Sequence, residues 1–327
     1  MTKETARTLA TCLLAASLGM SAVTAARADY PDRQVTLLVP YPPGGTSDIV
    51  ARLVSERLTA KLGQPFVVQN KGGAGGQIGT QEVARAKPDG YTLLLGTINT
   101  HGINAALYER LPYRTIEDFA PVTLVIDTPN VILANKNAPF KDLKGMIAYA
   151  RAKPGALNFG STSLGGSPHM SGELLKTLAE VDMVHVPYQG GGPMLNDLIS
   201  GQIMVGFDNL PSSAGHLSAG SLRGLAVTTT ERWPTFKDLP TAAEQGVKGY
   251  EVAAWFGILA PAGTPEAAVL TVQKAVAEAL REPEVMKRLA GLGARPVGST
   301  PQEFAQRIQS EVDRWTEVVK ANELERM

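Results

Sequence analysis

The chain reads as an α/β protein of two lobes, each a mostly parallel sheet covered by helices, with a ligand cleft between them. Three observations carry that expectation. Strand-like and helix-like patterns alternate along most of the sequence. The strand-to-helix junctions are rich in glycine and small polar residues. A second cycle of the pattern begins near Val122, and a strand returns near Val252.

Val35–Val39 is an apolar strand, and apolar residues at helical spacing from Ile49 to Leu58 follow it, stopped by Gly63. Pro65–Gln69 is the next strand, Gly72–Gly76 a loop, Ile78–Ala86 a helix and Tyr91–Leu95 a third strand. Val122–Ile126 and Val131–Ala134 read as two strands, Leu143–Ala152 as a helix and Leu157–Phe159 as a strand end. Then come a helix from His169 to Leu178, the strand Met183–Val186, a helix over Pro193–Ile199 and the strand Met204–Phe207. The strand Val252–Leu259 precedes three helices, Glu266–Arg281, Pro283–Leu292 and Pro301–Ala321. In such sheets ligands lie beyond the carboxyl ends of the strands, where the glycine-rich junctions fall.

The first residues form an export signal, residues 1–28. Lys3 and Arg7 give a positive start, Leu9 to Met20 is mainly apolar, and Ala26-Arg27-Ala28 matches an A-x-A cleavage site. The apolar run is too short to span a membrane. Cleavage after Ala28 removes Lys3, Arg7, Arg27 and Glu4 from 31 basic and 31 acidic residues, leaving a net charge of −2. That excludes nucleic acid as the expected partner. The one cysteine, Cys12, lies inside the signal, so the exported chain has no thiol and must rely on a packed core. The four histidines are scattered without ligand spacing, and no metal or other cofactor is expected.

The junction Pro40 to Asp48 (Pro-Tyr-Pro-Pro-Gly-Gly-Thr-Ser-Asp) leads from the first strand into a helix. Gly44 and Gly45 bare the backbone, and Thr46, Ser47 and Asp48 open the helix whose unpaired N–H groups and positive dipole end favour an anion. Tyr41 and Pro42 can wall the site, and Thr97 and Asn99, just beyond the third strand, belong with this side. In the second half Ser161, Ser163, Ser167 and His169 occupy an equivalent strand–loop–helix junction, so hydroxyls and N–H groups can face a carboxylate with no fixed positive charge. A third junction brings Tyr188, Gly190 and Gly191, and Asp208 follows the strand Met204–Phe207 as a cap, hinge acceptor or partner for a ligand ammonium, a lone carboxylate favouring the first two. A serine hydrolase or lyase using Ser163 or Ser167 with His169 is the rival, but neither serine sits in G-x-S-x-G: Ser161 lies two places before Ser163, and His169 two places after Ser167. No catalytic residue is assigned.

The ordered set Pro40 to Asp48, Asn70-Lys71 with Ala74-Gly75-Gly76 and Gly79, Pro88 to Thr92, Gly160 to His169, Val186 to Gly191 and Phe207-Asp208 resembles the Bug (Bordetella uptake gene) family. These are periplasmic solute-binding receptors of tripartite tricarboxylate transporters, and the resemblance covers nearly all of the exported chain. It implies a two-lobe, type II-like periplasmic-binding-protein fold, with lobes at 29–126 plus 250–327 and at 127–249 and crossovers near Val125–Pro129 and Gly249–Ala253. It further implies capture of a small organic carboxylate, delivery to membrane permease subunits, and a monomer. Leu164 departs from the small or polar residue expected in the second-lobe loop. Service to a sensor instead of a permease is not distinguished by these residues.

Overall fold

A computed structural model describes residues 30–321 and 326–327. The segment read as an export signal lies outside them. β1 (Val35–Val39), β2 (Phe66–Asn70) and β3 (Thr92–Thr97) pair in parallel with β1 in the middle. Four of the five residues of β1 are buried, as a strand covered on both faces requires. β5 (Asn158–Ser161), β6 (Val184–Pro187) and β7 (Val205–Asn209) repeat the arrangement in the second lobe, with β5 central.

Two strands join these trios, and both run antiparallel to their neighbours. Phe119–Asn135 is one 17-residue strand, β4, where the sequence reading had two. Its first part pairs with β9 (Ala253–Pro261) and with the short β10 (Arg295–Pro296). Its second part lies between β7 and β8 (Leu222–Val227). The first lobe therefore has strand order β2-β1-β3-β9-β4, and the second repeats the plan as β6-β5-β7-β4-β8. The sheet is mixed and not mostly parallel, because a strand that leaves one lobe for the other enters its new sheet from the opposite end. Pro129 and the polar Thr128 and Asn130 interrupt the apolar pattern of β4 without ending it. Antiparallel partners satisfy the backbone through this stretch, β9 at Thr128 and Pro129 and β7 at Asn130.

The helices that follow glycine turns, from Thr46, Gln77, Ser167 and Gly191, begin earlier than periodicity indicates, whereas those from Leu143, Glu266, Pro283 and Pro301 begin where it places them. α1 spans Thr46–Leu62 and ends on Gly63 in the left-handed conformation, its N–H bonded to Thr59 O. α2 is Gln77–Ala84 and α3 the short Asn104–Leu107, reached through an irregular helical turn at Asn99–Ile103. α4 is Leu143–Ala152; α5, Ser167–Ala179; α6, Gly191–Ser200; and α7, Leu210–Ser218. α8 (Glu266–Ala279), α9 (Pro283–Gly291) and α10 (Pro301–Ala321) return to the first lobe. α7 and β8 have no counterpart in the sequence reading. Pro211 and the polar Ser212-Ser213 at the start of α7 look like a loop, although proline fits a first helical turn. None of the described helices is long and apolar enough to cross a membrane.

β9 shows how closely the layers approach. Trp255 is fully buried and meets Phe304 of α10 edge-on, ring centroids 5.3 Å apart. A Cβ added to Gly257 would sit 2.2 Å from the Phe304 ring, so only glycine lets α10 lie against the strand here. Gly257→Ala is expected to cost about 1–3 kcal/mol as an overpacked core, read as a lower denaturation midpoint with an unchanged slope.

His101 is fully buried, shares a hydrogen bond of 2.8 Å with Thr100 Oγ1 through Nδ1, and meets Phe119 edge-on. Burial pushes its pKa down to about 3 and that of His185 to about 3 as well. Both stay neutral in the fold, while the unfolded chain takes up protons near pH 6.5. Their contribution is complete above about pH 6.5 and is lost as pH falls towards 3. Thermal melts between pH 7 and 4 are expected to show falling Tm, and His101→Gln to flatten that slope.

Candidate functional site

The cleft lies between the lobes at the carboxyl ends of β1, β5 and β7. It encloses about 460 Å³, counting space open to solvent. From the first lobe it is lined by Tyr41, Pro42, Gly45, Thr46 and Ser47 of the β1–α1 junction and by Thr97, Ile98 and Asn99 beyond β3. From the second come Thr162, Ser167, Gly190, Gly191, Asp208 and Asn209. Ala254 and Phe256 of the crossing strand β9 complete the lining.

The first jaw forms as its residue types dictate. Gly45 takes the cap position of α1 in an extended conformation and supplies no side-chain cap, so the first-turn N–H groups have no side chain over them. Opposite, Gly190 (φ 106°) caps α6 in the same bare manner, and its N–H donates to Thr162 O at 2.8 Å. The two glycine turns nearly touch: a Cβ on Gly45 would lie 3.7 Å from Gly191 N. Two helix N-termini thus converge on one space, where their dipoles favour an anion.

The lobes are closed on each other. Thr46 Oγ1 and Ser212 Oγ, on α1 and α7, are 3.0 Å apart, and Ser167 N at the start of α5 donates to Asn99 Oδ1 at 2.7 Å. Asn130 of β4 supports the second contact from below: its Oδ1 accepts from Ser167 Oγ at 3.4 Å and from Asn209 Nδ2, and its Nδ2 donates to Ser171 Oγ at 2.8 Å.

Six residues expected at the cleft do not line it. Asp48 is buried and tied to its own loop, accepting on Oδ2 from the N–H of the exposed Gly44 at 3.1 Å. Burial disfavours the Asp48 charge, but hydrogen bonds from Arg52 and from the Gly44 N–H outweigh it and leave the carboxyl below its usual range. Ser161 is fully buried, its hydroxyl 2.7 Å from His185 Nε2. Ser163 is buried with its hydroxyl unpartnered. His169 lies behind the loop: its ring stacks on His185 at 3.9 Å, its Nδ1 accepts from Gly165 N at 3.1 Å, and it borders a separate hollow with Leu164, Glu173 and Lys176. Tyr188 donates to Asp197 Oδ2 at 2.8 Å, anchored to its own helix. For Ser161 and Ser163 the cause is side-chain alternation at the end of β5, where neighbouring residues point to opposite faces. Thr162, between Ser161 and Ser163, is the one that reaches the cleft. The Leu164 departure therefore bears on the rear hollow.

The sequence reading missed Ile98, Thr162, Asn209, Ala254 and Phe256 of the lining, together with Ser212 and Asn130 behind it. Asn209 had a usable signal, standing next to Asp208 at the end of a strand. Phe256 had none, since within an apolar strand it looks like any core residue.

The electrostatics are unusual for an anion site. Among the described residues lining the cleft none is lysine or arginine. Lys71, on the rim, pairs with Glu82. Tyr41 is half-buried, its hydroxyl 3.2 Å from Thr97 Oγ1, and desolvation pushes its pKa up to about 12, so it stays neutral. Asp208 is the remaining ionisable group. Its Oδ2 accepts from Ser212 Oγ at 2.7 Å and Ser213 Oγ at 2.6 Å, and its Oδ1 from Asn209 N at 2.8 Å.

Comparison with known proteins places this geometry. Residues 50–324 match the family model described as tripartite tricarboxylate transporter family receptor. Rpa4515 of R. palustris, solved with adipate, is 41% identical at a TM-score of 0.89, covering 91% of this chain and all of that one. MatC of Rhodopseudomonas palustris, solved with malate, is 40% identical at a TM-score of 0.84, covering 89% and 100%. The periplasmic binding protein BugD is 34% identical at a TM-score of 0.87, covering 91% and 100%. With a two-lobe fold, bare helix N-termini facing one cleft and a family match over most of its length, the chain belongs to the tripartite tricarboxylate transporter receptor family of periplasmic solute-binding proteins.

Proposed function

We propose that this receptor captures a small organic carboxylate between its lobes and hands it to the membrane permease subunits of a tripartite tricarboxylate-type transporter, without turning it over. The observation that carries the reading is the cleft itself: glycine-capped N-termini of α1 and α6 face one another with no basic side chain between them. Dipoles and N–H donors are then the means of holding an anion, which avoids burying a salt bridge. The adipate and malate bound by Rpa4515 and MatC support a carboxylate of this size.

In this reading the exported monomer begins after Ala28, and its lobes comprise 29–126 with 250–327 and 127–249. They swing about β4 near Val125–Pro129 and about the segment entering β9, and a ligand touched by both lobes favours the closed form. Ligand-binding roles fall to Tyr41, Pro42, Gly45, Thr46, Ser47, Thr97, Asn99, Ser167, Gly190, Gly191 and Asp208, joined by Thr162 and Asn209. A hydrolase built on His169 lacks support, because that ring is stacked on His185 and faces away from the cleft.

Ligand-stripped residues 29–327 are expected to be stabilised by at least one member of a panel of mono-, di- and tricarboxylates. Ligand a hundredfold above its Kd adds about 2.7 kcal/mol, a Tm rise of several degrees for a chain of this size. A flat response across the panel, or turnover of an ester panel abolished by His169→Ala, would overturn the reading. Asn99→Ala, which removes the cross-lobe acceptor of Ser167 N, is expected to weaken binding of any hit about tenfold, chiefly through faster dissociation.

A further inference from the structure

Asp208 is the residue whose place in a carboxylate receptor asks for an explanation. It lines the cleft yet is 1% exposed, and among the described residues it makes no ion pair. A carboxylate has about four acceptor positions. Ser212 and Ser213 fill both on Oδ2, and Asn209 N fills one on Oδ1. The fourth remains, on the oxygen that would lie 3.6 Å from a Cβ added to Gly191, beside the converging helix N-termini. The cleft therefore holds two unlike ends: backbone donors that take an anion, and one carboxylate oxygen short of a donor.

We infer that the ligand is bound with a single negative charge at the helix N-termini and presents a hydrogen-bond donor to Asp208 Oδ1: a hydroxyl, an ammonium, or the proton of a second carboxyl. This rests on the carboxylate-receptor reading and deepens it. A fully ionised di- or tricarboxylate would place a second anion against a buried carboxylate with no cation in the cleft lining, so it enters only by taking up a proton. The balance is one dicarboxylate dianion plus one proton from solvent, giving a bound monoanion whose remaining proton is shared between its distal carboxyl and Asp208.

The surroundings of Asp208 leave that proton to these two groups. α1 contributes Asp48, tied to Arg52, and its preceding loop contributes Tyr41, held neutral by burial. α6 presents only glycine at its start, and its Asp197 holds Tyr188. On α7 the nearest groups are Ser212 and Ser213, while His216 lies at the far end beside Ser221. In β4 the cross-strand partner is Val131, flanked by the uncharged Asn130, and Asp127 further along is paired with Arg295. On β8, Arg223 is bound to the Phe140 and Lys136 carbonyls. Desolvation pushes the Asp208 carboxyl up to about 6, so the free residue is still mainly ionised at pH 7 and a proton shared with a dicarboxylate is taken up on binding.

The test is calorimetric titration of the exported chain, wild type and Asp208→Asn, with four- and six-carbon sets of probes: the plain monocarboxylate, its ω-hydroxy and ω-amino forms, and the dicarboxylate. At pH 8 an ω-hydroxy or ω-amino acid is expected to bind at least tenfold tighter than the dicarboxylate of equal length. Dicarboxylate affinity should rise up to tenfold per pH unit from 8 towards 6. Buffers of different ionisation enthalpy should report about one proton taken up per dicarboxylate in the wild type. Asp208→Asn should abolish the uptake and weaken the ω-amino acid at least tenfold. A dicarboxylate that binds best at pH 8 with no proton uptake overturns the inference, as does an unchanged order of preference in Asp208→Asn. Proton uptake is read on the wild type alone, so the test stands even where the variant fails to fold. Absence of binding by every acid at every pH instead overturns the receptor reading on which the inference rests.

Discussion

β4 belongs to both sheets, and the remainder of the architecture follows from that constraint. One continuous strand cannot change its hydrogen-bonding neighbours without offering each lobe a different part of its length, so Phe119–Pro129 serves β9 and Asn130–Asn135 serves β7 and β8. The two parallel trios are thereby set on either side of one rod. Their carboxyl ends face each other, and the glycine turns that follow β1 and β6 meet at Gly45 and Gly191. Ladder hydrogen bonds make the strand stiff along its length, and twist is the freedom left to it. In the proposed reading, a small rotation there becomes a large movement at the cleft mouth, the kind of closure that capture and release require.

In the proposed reading, the site built on this frame stabilises charge by direction and not by counter-charge. Helix N-termini and backbone N–H groups are oriented by the fold before any ligand arrives, so they do not reorganise on binding. A lysine in the same space would bring its own desolvation cost and side-chain entropy. The same economy makes the site sensitive to a single carboxylate. Among the described residues the lining holds no cation to offset it, and this is the ground on which Asp208 is proposed to select the far end of a ligand. One of the serines that hold it also joins the lobes, since Ser212 bonds both Asp208 and Thr46. Recognition and closure thus share one hydrogen-bond chain.

The sequence alone determined the local events: the alternation of strands and helices, the glycine turns at Gly44-Gly45 and Gly190-Gly191, the absence of basic residues from the pocket loops, and the order of motifs that identifies the family. Each depends on residues close together in the chain, where backbone freedom, capping and periodicity act. Tertiary structure decided which side chains face the cleft. Ser161, Thr162 and Ser163 are equivalent as sequence, and only the pairing of β5 with β6 and β7 directs Thr162 outward and the serines inward. It also decided that Val122–Ile126 and Val131–Ala134 are one strand, because backbone partners supplied by β7, β8 and β9 carry the chain through Thr128-Pro129-Asn130. The pairing of Asn99 with Ser167 and of Thr46 with Ser212 joins residues 68 and 166 positions apart. Such contacts arise from packing two lobes about a shared strand, and no local rule of propensity or spacing encodes them.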